Sequence, residues 1–151
     1  MGQSLISLVS VLSIFFSCSS FQKNNMVTSN HTDTTSNQLI IKVGSSTFNA
    51  TLLNNPAVTE FKQRLPLTVN MSELNGNEKL YRFSTNLPAN ASNPETIQMG
   101  DLMLYGANTL VLFYQTFSTT YSYTRLGRID NPNGLAVALG SGSVTVTFQL
   151  E

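Results

Sequence analysis

The hydrophobic positions fall into two regimes along the chain. Residues 5–17 (LISLVSVLSIFFS) form one uncharged run of apolar and small residues. From residue 38 onward the apolar positions mostly recur at every second residue, the period of a strand with one buried face. The stretch between them, residues 18–37, has little apolar content and no period.

Within the second regime, QLIIKV (38–43) is β-branched and apolar. Gly44-Ser45-Ser46 gives a turn, and TFNATL (47–52) alternates, with Phe48, Ala50 and Leu52 on one face. The two segments predict a hairpin. Asn55-Pro56 predicts a helix start, because Asn caps well and proline suits the first helical position. Val58, Phe61 and Leu65 then recur at helical spacing until Pro66 stops the helix. LTVNMSEL (67–74) alternates, Asn75-Gly76 turns the chain, and KLYRF (79–83) is a short strand. A loop with Pro88 and Pro94 covers residues 84–95. TIQMGDLMLY (96–105) reads as strand, Gly-Asp corner and strand, and TLVLFYQTF (109–117) as a central strand buried on both faces. Asp130-Asn-Pro-Asn-Gly134 is a loop, residues 135–139 are a single helical turn stopped by Gly140, and SVTVTFQL (143–150) alternates to close the sheet. Short strands at near-regular spacing with one helix predict a mainly β chain, a closed or nearly closed antiparallel barrel that leaves no apolar edge.

The first regime is an address. A run of 13 residues is too short to span a bilayer as a helix and suits the apolar region of a signal peptide. Cys18, the only cysteine, stands where the run stops. Phe15-Phe16-Ser17-Cys18 resembles the bacterial lipobox, in which a small residue precedes an acylated cysteine, although Phe15 replaces the usual aliphatic residue. That resemblance implies residues 1–17 as signal peptide and residues 18–37 as a tether carrying a lipid on Cys18. It places a domain of residues 38–151 at a bacterial cell envelope. Ser19 and Ser20 follow the cysteine, a pair compatible with transfer to an outer membrane. The sequons at Asn30, Asn49, Asn70 and Asn90 are read as chance products of a chain rich in Asn, Ser and Thr.

Composition then narrows the chemistry. With 151 residues, 8 basic and 8 acidic, the chain is one domain of zero formal charge and lacks the basic footprint of a nucleic-acid binder. One Cys and one His exclude a disulfide framework and argue against a closed structural zinc site, so no metal or cofactor is expected. A Ser-His-Asp triad would need His31, which lies in a wholly polar stretch where nothing orients a base. No phosphate loop or dinucleotide fingerprint is present.

With this element order established, the chain resembles the bacterial cyclophilin-like family, on the segments IQMGDLMLYG, NTLVLFYQTFS, SYTRLGRI and GSGSVTVTFQLE. The resemblance covers about residues 38–151. It implies a closed eight-stranded cyclophilin-type barrel with an N-terminal hairpin and one short helix after it. Enzymatic cyclophilins carry a Phe-His-Arg strand whose arginine stabilises the twisting prolyl amide. Tyr81-Arg82-Phe83 is the nearest basic-aromatic strand here, without the histidine, so no catalytic residue carries over. Tyr121, Tyr123 and Arg125, spaced by two, are expected on one strand face, where aromatic rings and a guanidinium suit a peptide or planar anion. With Arg82 they are the candidate ligand-binding residues. Asp101 is expected to bond backbone N–H groups at its corner, Arg128 and Asp130 to pair across a loop, and Phe113, Tyr114 and Phe117 to be core. The expected partner is a small molecule or extended peptide, with the membrane reached through the lipid. A weak prolyl isomerase and a structural subunit of the envelope are the alternatives.

Overall fold

A computed structural model describes residues 36–151, together with Gly2. Cys18, His31 and the signal-peptide and tether assignments over residues 1–35 therefore lie outside the described residues, Gly2 apart.

Strands β1 (Gln38–Val43) and β2 (Ser46–Leu52) form the expected hairpin, with Val43 opposite Ser46. Helix α1 (Pro56–Lys62) follows. The Asn55 side chain accepts from the Val58 N–H at 2.9 Å, and Pro56 opens the first turn. The helix ends earlier than its apolar spacing suggests. Arg64 and Leu65 donate to the carbonyls three residues back, Phe61 and Lys62, so the last turn tightens before Pro66. Strands β3 (Leu67–Leu74), β4 (Glu78–Arg82), β6 (Asp101–Tyr105), β7 (Thr109–Phe113), β9 (Tyr123–Ile129) and β10 (Val144–Leu150) complete the barrel. Its order is β1-β10-β3-β4-β7-β6-β9-β2, antiparallel and closed, with eight strands as expected. The one-turn helix α2 (Leu135–Leu139) ends at Gly140.

Inward side chains such as Leu39, Ile41, Met71, Leu102, Leu104, Leu110, Leu112 and Phe148 fill the barrel, and Phe61 from α1 packs edge-on against Phe148. Burying these chains at about 25 cal/mol per Å2 of apolar surface is the main force holding the barrel together.

The run 109–117 is not one strand. β7 ends at Phe113, and Phe117–Ser118 (β8) pairs instead with Thr96–Ile97 (β5) in a separate two-stranded ribbon. Hydropathy is continuous across the break because both parts are apolar, but they serve different cores. Ile97, Met103, Val111, Phe113 and Tyr123 form a second buried cluster, with Leu80 and Phe117 packed against it. Outward residues of β6, β7 and β9 thus meet the ribbon, and the barrel's outer wall is covered along part of its length.

The Gly-Asp corner forms as expected. Gly100 has φ +91°, and a Cβ there would press on Ile129 and Pro132, so glycine is required. Asp101 accepts from the Gln98 N–H at 2.9 Å. It also takes the Arg128 guanidinium (Nε–H) at 2.7 Å, and Asp130 instead accepts from the Thr51 hydroxyl at 2.8 Å. The expected Arg128–Asp130 pair is therefore not formed. Arg128 lies directly across the ladder from Asp101, a neighbour that cross-strand register supplies and chain order does not.

Candidate functional site

Outward residues alternate along β4, which puts Glu78, Leu80 and Arg82 on one face. Register then extends this face sideways. Arg82 stands opposite Thr109, Thr109 opposite Tyr105, and Tyr105 opposite Tyr123. One row of side chains so crosses four strands, β4-β7-β6-β9. The next row is Leu80, Val111, Met103 and Arg125.

The first row, with Leu80 and Val111 as floor, lines a cavity of about 320 Å3 on the outer wall. Phe117 from the ribbon and Tyr121 from the loop after it wall one side. The β3–β4 turn supplies the end near Glu78. Asn75 (φ 56°) and Gly76 (φ 68°) are both left-handed, as a tight primed turn needs, and the Gly76 N–H donates to Glu73 at 2.9 Å. Asn77 and Glu78 leave that turn lining the cavity.

Three tyrosines pack ring against ring here. Tyr105 lies 6.1 Å edge-on from Tyr121 and 5.6 Å from Tyr123, and Phe113 lies 5.5 Å from Tyr123. Tyr123 is buried, and its hydroxyl is pushed up to about 12 by burial first and the Glu78 charge second. It remains a neutral phenol at physiological pH.

Glu78 is the feature that the sequence reading missed. It is only 9% exposed, yet among the described residues its carboxylate has no hydrogen bond or ion pair with the protein. Burial, and then the nearby charge of Glu73, raise it above the usual carboxylate range. In the preceding residue the Asn77 side-chain carbonyl oxygen, Oδ1, is fully buried and, among the described residues, likewise unpartnered. Alternation from Arg82 was the available signal, since it carries the Arg82 face back to Glu78.

Of the candidate residues, Arg82, Tyr121 and Tyr123 come together at this cavity. Arg125 does not. It lines a separate depression with Asn55, Pro88 and Asn90, and its carbonyl accepts from the Asn55 side chain at 2.9 Å. Tyr123 and Arg125 share a face of β9, but Arg125 stands one row further on and its side chain lines the other depression, while Tyr121 precedes β9 and reaches the cavity from a loop. Phe113 and Tyr114 are core as expected, whereas Phe117 is half-buried and also faces the cavity.

On the opposite face of β4, Lys79 is fully buried. Its ammonium (Nζ) donates to Glu73 and to the carbonyls of Gly140 and Gly142, at 2.8 and 2.6 Å for the carbonyls. The Tyr114 hydroxyl also donates to Glu73, at 2.7 Å. Burial alone would raise the Glu73 carboxyl. The bonds from Lys79 and Tyr114, the Lys79 charge and the Gly76 N–H together hold it below its usual value. This network fixes the turn that carries Asn77 and Glu78.

A closed eight-stranded antiparallel barrel with a short helix by its first hairpin, and with its cavity on the outer wall, defines a cyclophilin-type fold. The chain belongs to the cyclophilin-like family, whose sequence profile matches residues 41–149. The solution structure of a hypothetical protein from Archaeoglobus fulgidus is similar in fold, with a TM-score of 0.50 at 14% identity, covering 76% of this chain and 94% of that one. No curated protein matches the chain.

Proposed function

We propose that this protein is a binding module that takes a small molecule or an extended peptide in the outer-wall cavity. One observation carries the reading: Glu78, a residue only 9% exposed whose carboxylate has no protein partner among the described residues, lines a ligand-sized cavity shared with three tyrosines. Burying a charge without a partner is unfavourable, so a site that keeps one is suited to a ligand that supplies the partner. Titrating the isotopically labelled full chain with short peptides tests this. Amide shifts should cluster on β4, β6 and β9.

A second reading, weak prolyl isomerisation, is favoured by Arg82. Its guanidinium is exposed, has no protein partner among the described residues, and stands beside the apolar floor of Leu80 and Val111. Exchange spectra with an Ala-Pro peptide separate the two readings. Catalysed cis/trans exchange supports the isomerase, because the uncatalysed process takes about tens to hundreds of seconds.

The module is further proposed to be exported and held at a bacterial cell envelope by a lipid on Cys18. The apolar run over residues 5–17, ending at the only cysteine, supports that placement.

A further inference from the structure

The acidic end of the cavity carries an acceptor without a donor. Asn77 and Glu78 both line it, and among the described residues neither the Glu78 carboxylate nor the buried Asn77 Oδ1 takes a protein hydrogen bond. Tyr123 lies close enough for the Glu78 charge to raise its hydroxyl, and an aromatic ring adds a partly negative face rather than a compensating charge. A group that satisfies the Glu78 carboxylate brings N–H donors and a positive charge at once. An alkylammonium brings three such donors and a guanidinium five. A neutral hydroxyl or amide would leave the carboxylate uncompensated. Among the described residues no group of three or more His, Cys, Asp or Glu gathers.

The other end has the opposite character. Arg82 follows Glu78 by four residues on the same face, about 13 Å along the strand at about 3.3 Å per residue. Its guanidinium is the donor there. A ligand lying along β4 therefore meets acceptors first and a donor last.

Building on the binding reading above, we infer that the cavity selects a peptide bearing a basic side chain, whose ammonium or guanidinium pairs with Glu78 at the end of the cavity that the Tyr123 ring reaches. The carboxylate end of the peptide lies toward Arg82. The raised carboxyl of Glu78 fits this role, since a cation arriving there relieves an unfavourable charge.

Three acetylated tripeptides with free carboxylates test this on the labelled full chain: Ala-Lys-Ala, Ala-norleucine-Ala and Ala-Glu-Ala. The lysine peptide should bind at least about tenfold tighter than the norleucine peptide, as a charge-assisted bond predicts, with the glutamate peptide weakest. In Glu78→Gln the lysine preference should vanish while norleucine binding persists. Equal binding of all three, or a lysine preference that survives Glu78→Gln, overturns the inference and leaves the binding module standing. No cavity shifts with any peptide overturns both.

Discussion

Glu78 and Arg82 share one face of β4 and one cavity, yet they do not neutralise each other. The three ion pairs among the described residues are Arg64–Glu60, Lys79–Glu73 and Arg128–Asp101. Two strand steps of two residues each hold the charges apart, and the floor between them is apolar. The separation is built by the backbone and by Leu80.

Glu78 should destabilise the empty protein at neutral pH. Its folded-state carboxyl lies above the unfolded value near 4.5, so the unfolded chain ionises first as pH rises. Stability from this group is therefore present at acid pH and lost as pH rises through the raised value. Glu78→Gln should raise the melting temperature at pH 7, by roughly 1 kcal/mol in stability, with little change near pH 3. Thermal melts at the two pH values check this. An equal drop at both would show that the carboxylate is a structural acceptor.

The linkage also sets how binding follows pH. A basic peptide favours ionised Glu78, so its affinity should fall as pH drops through the raised carboxyl value. The charged and titratable groups near Glu78 are Glu73, Tyr114 and Tyr123, with Arg82 at the far end of the same strand. The two tyrosines lie near 12 and stay neutral through that range. Isothermal titration of the lysine peptide between pH 4 and 7 measures the trend. A flat profile would contradict it.

Arg82 and Arg125 should separate in a binding assay. Arg82→Ala removes the donor at one end of the cavity and should weaken peptide binding several-fold. Arg125→Ala changes a side chain in another depression and should leave binding within twofold. Both are exposed, so melting temperatures should barely move. Equal losses from the two variants would place the ligand across both depressions.

Lys79 should be structural. Lys79→Met leaves Glu73 without its main partner and orphans two glycine carbonyls, at a cost of about 3 kcal/mol, the low end for a broken buried pair because the Glu73 side chain keeps 22% exposure. Tyr114→Phe removes one donor to Glu73 and should cost about 1 kcal/mol. Glu73 is depressed, so its contribution is present above 4.5 and lost as pH falls through the folded value. Urea melts of both variants at pH 7 and pH 3 check magnitude and sign.

The fold was legible because alternation, Asn-Gly and Gly-Asp corners and an Asn-Pro helix start are all local signals. Much of the site was not. Arg82 and Tyr123 are 41 positions apart in the chain, and only the pairing of β4, β7, β6 and β9 sets them in one row. The break after Phe113 was hidden because the residues beyond it remain apolar while changing partners. Period two joins Tyr123 and Arg125 inside β9 but does not extend to Tyr121 before it, and a shared strand face does not tell which depression each side chain lines. Glu78 was within reach of sequence reasoning, two alternations from Arg82, but its isolation from any partner is a property of packing.

The anchor is tested separately. Cys18→Ser should move the protein from the membrane to the soluble fraction. Unchanged fractionation would remove the lipid from the account.

The most direct measurement is the amide shift map of the labelled full chain titrated with the acetylated Ala-Lys-Ala peptide. Saturable shifts should concentrate at Glu78, Leu80, Arg82, Thr109, Tyr105 and Tyr123. Shifts centred on Asn55, Asn90 and Arg125, or none anywhere on the barrel, would contradict binding at the outer-wall cavity.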